Sequence, residues 1–316
     1  MRIVLLESLG VARGYLDGLV APLLSQGHSF EAYCRSDDVK ENVKRLAGAD
    51  VAIIANMPLG GQVISSCDRL KMISVAFTGY DHVDMESCLS KRITVSNCAG
   101  YSTDSVVELA LGLSLAVVRK IVPCDGAVRA GKTKDGLIGN QLAGKTVGIV
   151  GTGAIGVKVA AVFKALGCNV VAYSRSQRDE VLSMGIPYLS LKDLMSSCDL
   201  ISLHLPCNGE TAGLIDRDMI SSMKRSSFLI NTARGPIVDN KALADALKSG
   251  SIAGAGIDVF DMEPPLLEGY PLLDAPNCVL TPHVAFATPE ALQSRAVIAI
   301  DNVRLWMDGK PQNVVR

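Results

Sequence analysis

Residues 147–156 read Val147-Gly-Ile-Val-Gly-Thr-Gly-Ala-Ile-Gly156, or VGIVGTGAIG. A short apolar run ends in glycines spaced G-x-G-x-x-G, and a helical pattern, Val157 to Leu166, follows. The spacing predicts a strand, a tight turn and a helix. Each glycine has a task there: Gly151 for the turn, Gly153 for approach of a diphosphate to the backbone, Gly156 for helix–strand packing. The N–H groups at the helix start, at Gly153, Ala154 and Ile155, would face the phosphates together with the positive end of the helix dipole. Taken alone the motif is weak, because a tight βα turn can bind nothing. The strand pattern NVVAY (169–173) beyond the helix completes a βαβ unit and makes a dinucleotide site the better reading.

The same alternation runs along most of the chain. RIVLL (2–6), FEAYC (30–34), VAII (51–54), MISV (72–75) and ITV (93–95) read as strands on one side of the motif. TVGIV (146–150), NVVAY, LISL (200–203), SFLIN (227–231), AGAGI (253–257) and CVLT (278–281) follow. Strands alternating with helices predict parallel sheets covered on both faces. The strands are too many for one small sheet, so the expected class is α/β with two parallel sheets. The segment Pro123 to Gly144 has little strand signal and reads as an extended arm or linker. Pro289 to Met307 reads as the last helix, stopped by Asp-Gly-Lys-Pro.

Composition narrows the function classes. The net charge of −1 argues against a protein that coats nucleic acid or an anionic membrane. The nine cysteines are odd in number and form no C-x-x-C, so they read as reduced thiols and not as a disulfide frame or a metal site. The N-terminal run MRIVLLES is too short for a signal peptide, and Leu109 to Val118 is too short to span a bilayer. The expectation is a cytoplasmic protein without nucleic-acid or membrane partners and without a metal.

About twenty residues after the glycine turn, a dinucleotide site ordinarily places an acid on the adenosine ribose. Here the stretch is Ser174, Arg175 and Ser176, with Asp179 and Glu180 arriving only in the next helix pattern. An arginine flanked by hydroxyls suits a 2′-phosphate, so NADP(H) is favoured and NAD(H) stays possible. His204-Leu-Pro206 ends another strand and reads as a wall for adenine or ribose.

Three further strand ends carry polar groups: Asn231-Thr-Ala-Arg-Gly235, Asp258-Val-Phe-Asp-Met-Glu-Pro264 and Thr281-Pro-His-Val-Ala285. In a parallel sheet they share one edge, which is where open α/β sheets bind ligands. An arginine alone is ordinarily a surface residue, a glutamate before proline a loop residue, and a lone histidine as often structural as not. Their joint placement makes Arg234, Glu263 and His283 a candidate set. The arginine would hold a carboxylate, the histidine would move a proton near neutral pH, and the glutamate would orient the imidazole.

With these motifs in order, the chain resembles the D-isomer-specific 2-hydroxyacid dehydrogenase family over essentially its whole length. The resemblance rests on VGIVGTGAIG, HLPCNGETAGLI (204–215), INTARGPIVD (230–239), GIDVFDMEP (256–264), TPHVAFATPEA (281–291), FTGYDHVD (77–84) and NCAGYSTDSVVELAL (97–111). It implies an NAD(P)-dependent oxidoreductase that interconverts 2-hydroxy and 2-oxo acids, with Arg234, Glu263 and His283 as the catalytic set. It implies two Rossmann-like/flavodoxin-like parallel-sheet domains with the active site in a cleft between them: a discontinuous substrate domain, 1–100 with 289–316, and an inserted cofactor domain, 101–288. It further implies that Thr78 and Gly79 offer backbone N–H groups to the substrate carboxylate, and that Arg234 and His283 also bind the substrate. Asp258 would face the nicotinamide carboxamide. With His204 and Pro206, Thr211 and Ala233 complete the candidate cofactor contacts. A homodimer through the cofactor domain, with an arm like 120–144, is also implied.

Two departures stand out. The family often has an aspartate where this chain has Ser174, and many members carry a tryptophan near Thr133, whereas the only tryptophan here is Trp306. Members acting on hydroxypyruvate, glyoxylate or glycerate are the nearest in pattern, with D-3-phosphoglycerate and D-lactate as alternative substrates. A reading from another class is an NAD(P)-sensing co-repressor of the kind the family also contains.

Overall fold

The computed structural model describes residues 1–315; Arg316, the last residue of the segment assigned to the substrate domain, lies outside the described residues. The chain divides into two compact units. One is Met1–Ser102 together with the C-terminal segment from Ala287, and the other is Thr103–Phe286.

The first unit opens with β1 (Arg2–Leu5), α1 (Arg13–Ser25), β2 (Ser29–Ala32), α2 (Val39–Leu46) and β3 (Val51–Ile54). It continues with α3 (Gly61–Ser65), β4 (Met72–Val75), α4 (Met85–Ser90) and β5 (Thr94–Asn97). All neighbours are parallel, in the order β2-β1-β3-β4-β5, the doubly wound flavodoxin-like arrangement. Strands β3 and β4 are buried at every position, as expected of strands covered on both faces.

The second unit runs α5 (Thr103–Val118), α6 (Ile121–Arg129), β6 (Thr146–Val150), α7 (Ala154–Ala165), β7 (Asn169–Tyr173), α8 (Asp179–Ser183) and α9 (Leu191–Ser197). Then come β8 (Leu200–Leu203), α10 (Arg217–Ser221), β9 (Phe228–Asn231), α11 (Asn240–Ser249), β10 (Gly254–Ile257) and β11 (Cys278–Leu280). Its six strands are parallel in the order β11-β10-β9-β8-β6-β7. A single parallel bridge, Ala172 with Tyr188, extends the sheet beyond β7. Counting that bridge as a third strand gives the dinucleotide-fold order 3-2-1-4-5-6, with β11 added at the edge. Helix α5 packs on β9, β10 and α7, over a core of Leu113, Val117, Val147, Ile149, Phe163 and Ile230.

The final helix, α12 (Pro289–Met307), returns to the first unit. Thr288 caps it by accepting from the Ala291 N–H, and Pro289 takes the first turn, where its missing N–H costs nothing. It packs against α1, β4 and β5. The contact explains otherwise awkward buried polar groups. The Ser74 hydroxyl donates to the Ala299 carbonyl at 2.9 Å, and Asn302 Nδ2 donates to the Asn97 carbonyl at 2.8 Å.

All eleven strands lie where the apolar runs placed them, with no end shifted by more than two residues. The segment read as an arm differs: α6 occupies its first part, and the chain is irregular from Ala130 to β6. No residue of α6 is buried, so there is no apolar period from which to read a helix. Among the described residues no helix is long and apolar enough to cross a membrane.

Candidate active site

The turn after β6 has the form its glycines require. Gly151 adopts φ +97°, a conformation that L side chains rarely adopt. A Cβ on Gly156 would lie 1.9 Å from the Gly151 carbonyl oxygen, so only glycine lets α7 start this close to the strand. At Gly153 an added Cβ meets nothing within 4 Å, and this residue caps α7 with no side-chain hydrogen bond. Open space in front of a helix end with no side-chain cap is a cradle for a diphosphate. Thr152, Ala154 and Ile155 complete the turn.

Ser174, Arg175 and Ser176 follow β7, with Arg175 projecting to solvent. Its guanidinium pairs with Glu210, a residue of the loop after β8. That loop is tightly built. The Thr211 hydroxyl donates to the Pro206 carbonyl at 2.6 Å and accepts from the Asn208 N–H at 2.9 Å. Thr211 therefore shapes the wall that Pro206 presents. His204 begins the loop, its Nε2 2.9 Å from the Ser202 hydroxyl. Burial of the ring pushes the His204 pKa down to about 4, so at neutral pH the imidazole is uncharged.

The three strand ends with polar groups are neighbours in the sheet, since β9 pairs with β10 and β10 with β11. His283 Nδ1 lies 2.9 and 3.1 Å from the two Glu263 carboxylate oxygens. The histidine side chain is 14% exposed and the glutamate 63%. His283 holds φ +55°, a strained region for a non-glycine residue and the kind of backbone that a rigid surround must impose. Asp258, fully buried, is that surround. Its Oδ1 accepts from the Thr281 hydroxyl at 2.6 Å and the Val284 N–H at 2.9 Å, and its Oδ2 accepts from the Ala285 N–H at 2.9 Å. Its backbone carbonyl accepts the His283 N–H at 2.8 Å. Both oxygens of Asp258 thus hold the histidine loop, a role that the sequence reading missed because it expected the carboxylate to face a ligand.

Arg234 follows β9. Asn231 Nδ2 donates to the Arg234 carbonyl at 2.9 Å, and Asn231 Oδ1 accepts the Ala233 N–H at 3.0 Å, fixing the turn. A Cβ on Gly235 would lie 1.8 Å from the backbone of Phe260. The segments carrying Arg234 and Glu263 therefore touch backbone to backbone. The Glu263 segment is braced again by the Tyr270 hydroxyl, which donates to Asp261 at 2.6 Å. Thr78 and Gly79 lie in the first unit, just beyond β4, where the Thr78 carbonyl accepts from Asn97 Nδ2 at 2.7 Å. No group of three or more His, Cys, Asp or Glu side chains arranged to hold a metal occurs among the described residues.

Comparison with known proteins identifies the family of the chain. Residues 111–285 match the model of the D-isomer specific 2-hydroxyacid dehydrogenase, NAD binding domain. The chain belongs to that family. It is an oxidoreductase that acts on CH–OH donors with a nicotinamide coenzyme. Its relatives include the glycerate dehydrogenase of Methylorubrum extorquens, 40% identical over 297 residues, 91% of this chain and 92% of the relative. The hydroxypyruvate reductase of Blautia hydrogenotrophica is 32% identical and is matched across 100% of this chain and 99% of its own. Among solved structures, an acyclic imino acid reductase in complex with NADPH and D-Arg superposes with a TM-score of 0.91 at 30% identity, covering 100% of both chains. The uncapped helix start and the open face at Gly153 show that this family member's own residues fit the coenzyme diphosphate.

Proposed function

We propose that this chain is an NADPH-preferring reductase of a small 2-oxo acid, with hydroxypyruvate or glyoxylate as substrate. The first unit serves the substrate and the second the coenzyme. The observation that carries the reading is the hydrogen-bonded pair of His283 and Glu263. An ionised carboxylate only accepts, so Nδ1 carries a proton and Nε2 is the nitrogen that exchanges one with substrate. When bound, the reduced nicotinamide supplies a hydride to the substrate carbonyl carbon. His283 Nε2–H gives its proton to the carbonyl oxygen, and Glu263 stabilises the imidazolium from which it leaves. Arg234 holds the substrate carboxylate and offsets charge growing on the oxygen. Thr78 and Gly79 are the first unit's candidate residues for the substrate. In the oxidative direction neutral His283 acts as the base.

Two things support the finer assignments. The two relatives, a glycerate dehydrogenase and a hydroxypyruvate reductase, point to glycerate and hydroxypyruvate. Ser174-Arg175-Ser176 offers a cation and two hydroxyls where an NADH enzyme would carry an acid. The test is loss of reduced-coenzyme absorbance over a panel of hydroxypyruvate, glyoxylate, pyruvate and 3-phosphohydroxypyruvate, with NADPH and NADH in parallel. Turnover of the two favoured acids with NADPH is expected. Replacing Ser174 by Asp and Arg175 by Leu together should weaken NADPH by about 10- to 150-fold, the value of one charge-assisted contact. Wild-type preference for NADH would refute the coenzyme assignment. Tight coenzyme binding without turnover of any acid would favour the co-repressor reading.

The functional unit is a homodimer built on the α6 segment. Ile121, Val122, Val128 and Ile138 are 52–85% exposed, an apolar set that a monomer would leave in water. Sedimentation equilibrium is expected to give the dimer mass, and Val128→Asp with Ile138→Asp the monomer mass; a monomeric wild type would refute it.

A further inference from the structure

The second unit holds Arg175 in an ion pair that the function described above does not use. Arg175 stands after β7 and Glu210 after β8, the two strands that flank β6 in the sheet. The glycine turn follows β6, so the pair spans the strand ends that face the adenosine half of a dinucleotide. The two sides of the span are held differently. On one side, the segment after β7 is anchored beyond Arg175: the Arg178 N–H donates to the Tyr188 hydroxyl at 3.1 Å, and that hydroxyl donates to Thr152 in the glycine turn at 3.0 Å. On the other, the Glu210 N–H donates to Asn208 Oδ1 at 2.9 Å, inside the loop closed by the Thr211 hydroxyl. Both backbones are thus fixed, while the paired side chains are 75% and 67% exposed and free to exchange partners with solvent and solutes. The second arginine nearby, Arg178, has its own carboxylate, Glu180, at 3.7 Å.

We propose that Glu210 is a specificity-determining residue that competes with the coenzyme 2′-phosphate for Arg175. The inference rests on the reading of Arg175 as the 2′-phosphate partner. In the free protein Glu210 occupies the guanidinium. A 2′-phosphate must displace that carboxylate and then sit beside it, whereas a 2′-hydroxyl leaves the pair in place or donates its hydrogen bond to the Glu210 carboxylate. Glu210 therefore lowers discrimination and keeps NADH within reach of a site whose local sequence favours NADPH. The effect is modest, because an exposed ion pair contributes little and is screened by salt.

The test is direct binding to the free protein by titration calorimetry, with adenosine 2′,5′-bisphosphate and 5′-AMP as probes that differ only in the 2′-phosphate. Glu210→Gln is expected to tighten the bisphosphate by about 5-fold, the upper end for an exposed pair, and to change 5′-AMP by less than about 2-fold. In an Arg175→Ala background the same substitution should change the bisphosphate by less than half of that factor. The outcomes separate the two ideas. If Arg175→Ala does not weaken the bisphosphate relative to 5′-AMP, the 2′-phosphate reading fails and takes this inference with it. If Arg175→Ala does weaken it but Glu210→Gln has no effect, the inference alone fails. If Glu210→Gln weakens the bisphosphate, Glu210 presents Arg175 to the phosphate and does not compete with it, which also overturns the proposal.

Discussion

His283→Ala is expected to lower kcat by about 10²- to 10⁴-fold, the range for removing a positioned general acid–base group, while coenzyme affinity changes by less than about 2-fold. The geometry supports a loss of that size. Nδ1 is committed to Glu263 at 2.9 Å, so the ring has one orientation and one nitrogen for the substrate. Alanine also inherits φ +55°, which disfavours most side chains, so the loop could shift as well as lose its imidazole. His283→Asn is the control, since asparagine tolerates this backbone region better but cannot shuttle the proton. Both variants should lose turnover alike, and the Asn variant should melt nearer the wild type. Steady-state kinetics with a coenzyme titration decide it. Near-normal kcat in either variant would remove His283 from the mechanism.

Gly235→Ala is expected to be the most damaging glycine substitution near the site. The new Cβ would stand 1.8 Å from the Phe260 carbonyl carbon and oxygen and 2.5 Å from the Asp261 nitrogen. These are backbone atoms, so no flexible side chain can yield. Overpacking typically costs about 1–3 kcal/mol, occasionally more, and a backbone clash belongs at the upper end. In a chain of this size the upper end corresponds to a fall in Tm of about 4–5 °C. Activity should fall further than stability implies, because relief of the clash separates the segments that carry Arg234 and Glu263. Gly112→Ala supplies the opposite sign. An added Cβ there meets nothing within 4 Å, and the site lies inside helix α5, where alanine is favoured by about 1 kcal/mol. Thermal melts and kcat/KM on the two variants separate the effects. A Gly235→Ala protein with wild-type Tm and activity would mean that the two segments can part without consequence.

The site was legible in the sequence to the extent that it is local. The glycine turn, the missing acid after NVVAY and the three polar strand ends each lie within a few residues of a strand terminus. A parallel sheet places all its carboxyl ends on one edge, so spacing alone gathers Arg234, Glu263 and His283 to neighbouring positions. The exposed arm was less readable, because α6 buries no residue and has no period to reveal it. The strand beyond β7 was invisible for a similar reason: it is a single bridge at Tyr188 and not an apolar run.

The amino-acid pattern by itself determined the number and positions of the strands and the α/β class. All of these follow from side-chain periodicity and from turns whose chemistry is contained in ten residues or fewer. Only the tertiary structure decided which groups meet. Glu210 reaches Arg175 across 35 residues, Asp258 turns both its oxygens to the His283 loop across 23 to 27 residues, and Gly235 is pressed against Phe260. Such contacts depend on strand order and on the packing of loops over a sheet edge. These are long-range arrangements, set by burial of the whole core, that no local stretch of sequence encodes.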